Sequence, residues 1–261
     1  VERVVVENLS FSYRHGFELK GISLKVWGGS VVTLLGPNGS GKTTLLKCIN
    51  ALLKPRTSCV YVDGKDVLKM REDERAKLMG YVPQSHSPTF PYTVLDVVLM
   101  GRTPYLGVFQ RPSKADVAKA EEALKLVGLH HLKDRPYTEI SGGEKQLVLI
   151  ARALAQDPRV ILLDEPTAHL DFRNQFRVLR IVKEVAKKRD IAIIMSLHDP
   201  NLACLFSDVI VLMSRGRVVA YGDPNSVVTR ENIKAVYGVD IEIVYHGDVR
   251  LVIPQESLGR W

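Results

Sequence analysis

Eight residues, Gly36-Pro37-Asn38-Gly39-Ser40-Gly41-Lys42-Thr43, constrain this chain more than any other stretch. They follow an apolar run at 31–35 and precede a helical pattern at 45–49. A strand, a glycine-rich turn and a helix start carrying G-x-x-x-x-G-K-[ST] describe a phosphate-binding loop. The glycines let the backbone curl so that successive N–H groups point at phosphate oxygens. The helix N-terminus adds roughly half a positive charge, which favours an anion there. Lys42 can then reach the β- and γ-phosphates, the Thr43 hydroxyl is placed to ligate Mg²⁺, and Thr44 extends the same turn. A glycine loop that merely turns a strand into a helix has no need of all eight positions. The expectation is a site for a nucleoside triphosphate.

Composition narrows the setting without choosing a function. At 261 residues, 46% hydrophobic and 25% charged, the chain has the make-up of a soluble globular protein large enough for a core plus a subdomain. No apolar run approaches the roughly 18 residues that a membrane-spanning helix needs. The opening Val1-Glu2-Arg3-Val4-Val5-Val6 reads as a strand and lacks the segments of a signal peptide. It also lacks an initiator Met, so the numbering is expected to start inside the natural product. Cys48, Cys59 and Cys204 are widely spaced and form no C-x-x-C, which suits a reducing cytosol and no metal site. The net charge of +7 admits an acidic partner. Its basic residues are scattered, and Lys187-Lys188-Arg189 reads as a solvated helix end rather than a contact patch.

Along the chain, residues 1–35 read as strands with period-2 alternation and a turn at His15-Gly16. An antiparallel sheet beside the nucleotide core is expected. Tyr13 could stack on adenine, or could equally be a core aromatic. Val60-Tyr61-Val62 before Asp63-Gly64 is a further strand entering a hairpin turn. Helical patterns begin after Gln84: 94–99, then 115–127 with Ser113 as cap. Residues 101–112, rich in Gly, Pro and aromatics, read as an ordered surface loop. Residues 85–155 are thus a helical insertion into an α/β core. The core resumes with apolar runs at 160–163 and 191–195, as buried parallel strands require. A hairpin through Arg215-Gly216 follows. The rest, from about 225 to 261, holds one helix candidate and a weak strand pair without a readable role.

Three further stretches carry chemistry. The strand at 160–163 ends in Asp164-Glu165, two acids where open α/β sheets bind ligands. Asp164 can hold Mg²⁺, and Glu165 can reach an attacking water as general base. Ser141-Gly142-Gly143-Glu144 is a capping box with two glycines inside it, a cost that a closely approaching phosphate would explain. His198, just after an apolar strand, could donate to a γ-phosphate, although a histidine in that position is more often structural.

Together these motifs resemble the ATP-binding subunits of ABC transporters. GPNGSGKT at 36–43 looks like the Walker A, ISGGE at 140–144 the signature, and VILLDE at 160–165 the Walker B. Gln84 resembles the Q-loop glutamine, Asp171 the D-loop aspartate, His198 the switch histidine and Tyr13 the adenine-stacking aromatic. All occur in the family's order, over about residues 1–225. The stretches 93–107 and 197–203 are similar to importers of iron–siderophore, haem and cobalamin type, which include some molybdate and tungstate systems. Ile140, Glu144, Leu147 and His169 depart from the family's usual residues.

The resemblance implies a RecA-like P-loop NTPase core, α/β, with an N-terminal antiparallel β subdomain and an inserted α-helical subdomain. It implies an ATPase domain over 1–224, with its helical part at about 85–155, and a short extension over 225–261. It further implies ATP and Mg²⁺, the latter held by Thr43, Gln84 and Asp164, and catalysis by Glu165, His198, Gln84 and Lys42. A second copy would face the nucleotide with Ser141, Gly142, Gly143 and Glu144. An integral membrane permease would dock near residues 90–106, where Phe90, Tyr92, Leu95, Leu99, Met100 and Tyr105 cluster before Leu106. A substrate-binding protein would take part indirectly, no nucleic acid is expected, and the place of work is the cytoplasmic membrane face. The alternative is a non-transport ABC ATPase acting on DNA or ribosomes. Those that act in DNA repair would carry a long heptad coiled coil or Cys-rich zinc insertions, and neither is present.

Overall fold

The structure is a computed structural model describing residues 1–14, 16–84, 92–107, 109–247 and 249–255. His15 of the expected first turn, and Phe90 of the expected docking stretch, lie outside the described residues. Strands β1 (Glu2–Ser12) and β2 (Glu18–Trp27) pair antiparallel, Val4 facing Val26 and Val6 facing Leu24. Their alternation is the reason: Val4, Val6, Leu9, Leu19, Ile22, Leu24 and Val26 are all buried, on the inner face. β3 (Val31–Leu35) is buried at every residue and leads into α1 (Lys42–Ile49). β4 (Val60–Val62) and β5 (Lys65–Asp66) complete a four-stranded sheet of order β2-β1-β4-β5.

Next come α2 (Glu72–Leu78) and β6 (Met79–Val82), then α3 (Val94–Leu99). Residues 100–105, at the start of the stretch expected to be an ordered surface loop, form a 3-10 turn. Side-chain bonds to its neighbours hold it: Arg102 to Asp116 at 3.0 Å and to the Ala155 carbonyl at 2.8 Å, Tyr105 to the Gln156 carbonyl at 2.7 Å. Gly101 sits so close to the following helical layer that a Cβ there would lie 2.1 Å from the Arg152 carbonyl oxygen. Helices α4 (Lys114–Leu126) and α5 (Gly142–Ala155) pack on α3. Ser113 and Ser141 cap them through capping boxes with Asp116 and Glu144, each cap contributing about 1 kcal/mol.

β7 (Val160–Leu163), α6 (Phe172–Arg189), β8 (Ala192–Leu197) and α7 (Pro200–Phe206) follow, then the hairpin of β9 (Val209–Ser214) and β10 (Arg217–Gly222). The central sheet runs β10-β9-β3-β8-β7-β6, parallel except at β10. Strands with both faces covered read as near-continuous apolar runs, as β7 does without a break and β3 and β8 do with one hydroxyl residue each, Thr33 and Ser196. The chain then forms α8 (Pro224–Val227), α9 (Arg230–Tyr237) and a separate hairpin of β11 (Ile241–His246) and β12 (Val249–Pro254). One core lies between the central sheet, α1 and the antiparallel sheet; the other joins the helical layer to the opposite face of the central sheet. The expected α/β P-loop core, antiparallel β subdomain and helical subdomain are all present. Among the described residues, no helix is long and apolar enough to cross a membrane.

Candidate active site

The carboxyl ends of β3, β7 and β8 deliver three loops to one edge of the sheet: 36–41, 164–171 and 198–199. Helix α1 begins there without a side-chain cap and without an acid in its first turn. Its free N–H groups therefore remain available to an anion. Lys42 is 4% exposed and folds back on the loop, its Nζ donating to the carbonyls of Gly36 at 2.7 Å and Pro37 at 3.0 Å. Burial lowers its pKa, while Glu165 and Asp164 oppose that shift.

Asp164 is 2% exposed and accepts three hydroxyls: Thr43 at 2.8 Å, Ser196 at 2.9 Å and Tyr81 at 3.3 Å. Glu165, at φ 48°, accepts from Gln84 Nε2 at 2.7 Å and lies 2.6 Å from His198 Nε2. Lys42 Nζ stands 3.4 Å from Nδ1 of the same ring. With an ammonium donating to Nδ1, the ring proton is on Nε2 and is donated to Glu165. Gln84, Glu165, His198 and Lys42 thus form one connected chain of polar contacts.

Tyr13 is 42% exposed, so it is not a core aromatic. It lines a cavity of about 270 Å³ with Phe17, Asn38, Gly39, Lys42 and Thr43. A neighbouring cavity joins Pro37, Gln84, Glu165 and His198. Ser40 is buried within the loop. Sequence reasoning missed Phe17, Ser196 and Tyr81. Phe17 stands in the link just before β2, where no pattern distinguished it, and Ser196 was one polar residue in an apolar strand, which was the available signal.

Ser141, Gly142, Gly143, Glu144 and Asp171 do not line either cavity. Instead, Asp171 and Gly143 both approach Asn174 at the start of α6. Asp171 caps α6 by accepting from the Asn174 N–H at 2.8 Å and from its amide at 2.9 Å. A Cβ at Gly143 would lie 2.6 Å from Asn174, so an approach within the same chain already requires that glycine. Ser141 and Gly142 remain exposed. Glu144 accepts the Ser141 hydroxyl at 2.7 Å and N–H at 2.8 Å, which hold its pKa below the usual carboxylate range. Leu147 is fully buried in the helical core.

This architecture has known counterparts. The family model for ABC transporters matches residues 19–168. An uncharacterised ABC transporter ATP-binding protein of Methanocaldococcus jannaschii is 42% identical over 249 residues, 95% of this chain and 96% of that protein. The Helicobacter pylori protein named probable iron chelatin transport ATP-binding protein is 38% identical over 95% of this chain and 97% of its own. An inward-facing ABC transporter assigned to the metal-chelate type has a subunit that superposes with a TM-score of 0.85 at 31% identity, covering 97% of both chains. The chain belongs to the ABC transporter family, as one of its ATP-binding subunits and an ATPase coupled to transport.

Proposed function

We propose that this chain hydrolyses ATP to power import of a metal chelate through a separate membrane permease, working as a peripheral subunit on the cytoplasmic face. The observation that carries the reading is Glu165, held between Gln84 and His198 at the rim of a P-loop. The likeness of the whole chain to the iron chelatin protein and to the metal-chelate type transporter supports the metal-chelate class, here iron–siderophore, haem or cobalamin, with the oxyanions molybdate and tungstate as the alternative cargo. Residues 1–224 would form the ATPase domain, with its helical part at about 85–155, and 225–261 a short extension.

In this reading the N–H groups from Gly36 to Thr44 and the Lys42 ammonium bind the phosphates, and Tyr13 stacks on adenine. The oxygen set of Thr43 and Asp164 fits Mg²⁺, a hard cation that takes few protein ligands beside substrate phosphates. Thr43, Asp164 and Gln84 would hold the ion, and it would supply neutralisation of the phosphate charge. Glu165 takes a proton from the attacking water, whose oxygen bonds to the γ-phosphorus as the bond to the β-phosphate oxygen breaks. ADP and phosphate leave. Lys42 and His198 donate to the charge that develops on the transferred group.

Exposure of Ser141 and Gly142 away from their own P-loop supports a second copy facing the nucleotide with Ser141, Gly142, Gly143 and Glu144, Asp171 lying beside them. Tyr92, Met100 and Tyr105 are each about two-fifths exposed, which supports a permease seated there. A substrate-binding protein would act through the permease, and no nucleic acid is involved. The test is uptake of labelled ferric chelate and of cobalamin by cells carrying this chain and its permease, wild type against Glu165→Gln. Uptake lost in the variant supports the proposal; uptake of every such cargo unchanged by the variant overturns it.

A further inference from the structure

The last described stretch, from α8 to β12, is neither a loose tail nor a separate unit. Val227, Val228, Ile233, Ile241 and Val252 are buried in the same core as Leu197, Leu202 and Ala203. Those last three flank His198, on β8 and α7. Arg250, 9% exposed, donates to the Asn225 carbonyl at 2.8 Å and to the Val228 carbonyl, fastening β12 to α8. Asn201 on α7 bonds to Val252 in both directions: its Oδ1 accepts the N–H at 2.7 Å and its Nδ2 donates to the carbonyl at 3.1 Å. A side-chain amide here does for β12 what a neighbouring strand would do. Tyr237, the last residue of α9, donates its hydroxyl to the carbonyl of His198 at 3.3 Å.

His198 needs such support. It stands in a two-residue link between β8 and α7, outside either element, yet its Nε2 must meet Glu165 at 2.6 Å. A link without its own hydrogen-bond ladder is held only by what packs around it. Tyr237 also lines the cavity shared by Pro37, Gln84, Glu165 and His198.

We propose that the C-terminal segment is a positioning element for His198, with Tyr237 holding its carbonyl and Asn201 locking the following turn to β12, so that hydrolysis depends on residues 224–255. The proposal rests on the reading of His198 given above. Tyr237→Phe removes one oxygen and keeps the ring. It should lower kcat about threefold to tenfold, the rate equivalent of one ordinary hydrogen bond, with KM for ATP within about twofold. Asn201→Ala should act in the same direction. The decisive comparison is single-turnover phosphate release from the full chain in the His198→Ala background, where neither change should slow the reaction further. Wild-type kcat for Tyr237→Phe, beside a slow His198→Ala, overturns the segment's role alone. An equal fold loss with and without His198 does the same. A wild-type rate for His198→Ala overturns the reading of His198 itself.

Discussion

Ser196 donates its hydroxyl to Asp164 Oδ1 at 2.9 Å, and Ser196 Oγ itself accepts the backbone N–H of Glu165 at 2.7 Å. One fully buried atom on β8 thereby sets the angle between two consecutive acids on the neighbouring strand's exit. It also braces Glu165 at a positive φ, a conformation that costs a non-glycine residue about 1 kcal/mol or more. Ser196→Ala should keep ATP affinity and lower kcat by roughly tenfold, the cost of an unbraced carboxylate and an unsatisfied N–H. Steady-state ATPase beside equilibrium nucleotide binding checks this; unchanged kcat would leave Ser196 a packing residue.

In the proposed site, Lys42 would exchange the Gly36 and Pro37 carbonyls for phosphate oxygens on ATP binding. Lys42→Ala should weaken ATP binding by about 1.5–3 kcal/mol, or roughly 10- to 150-fold, because a charge-assisted contact to a polyanion is lost. Calorimetric titration with ATP measures it, and wild-type affinity would count against the phosphate role.

Met100→Ala with Tyr105→Ala should leave the basal ATPase of the free subunit nearly intact and reduce capture by the detergent-solubilised permease tens-fold or more. Tyr105 also bonds the Gln156 carbonyl and packs its ring 3.8 Å from the Arg102 guanidinium, so a small drop in Tm is expected. Equal loss of ATPase and capture would make these residues structural.

Asp116 is held at a pKa of about 2 by the Ser113 hydroxyl and N–H and by Arg102. Its folded value is depressed, so its contribution to stability is present above the unfolded carboxylate range near pH 4 and is lost as pH falls through about 2. Asp116→Asn should lower Tm at pH 7, with the difference closing between about pH 4 and pH 2. A Tm difference independent of pH would assign the effect to packing.

Most of the site was legible because its parts are local: a loop, a strand end, a cap. Gln84, Asp164, Glu165 and His198 each announce themselves beside an apolar run, and the parallel sheet then brings them to one edge. Helix α2 was invisible for a physical reason: none of its residues is buried, so its sequence has no apolar stripe to reveal a period. β6 has four residues, one of them glycine, and takes its identity from pairing with β7. Ser196, Tyr81 and Tyr237 contribute through partners between 32 and 83 residues away, relations that no local pattern contains.

The backbone contact at Gly101 leaves no room for padding between the 3-10 turn and the far end of α5. Three bonds or contacts, at Arg152, Ala155 and Gln156, fix that turn to the helix tail. The head of the same helix, 14 residues and about 21 Å away, carries Gly142 and Gly143. Turn and helix are therefore one stiff unit, and were a permease to seat on the turn as proposed, a tilt imposed there would reach the glycine end of α5 without slack. A side chain at 101 would force turn and helix tail apart, and in that reading the two ends would no longer move together.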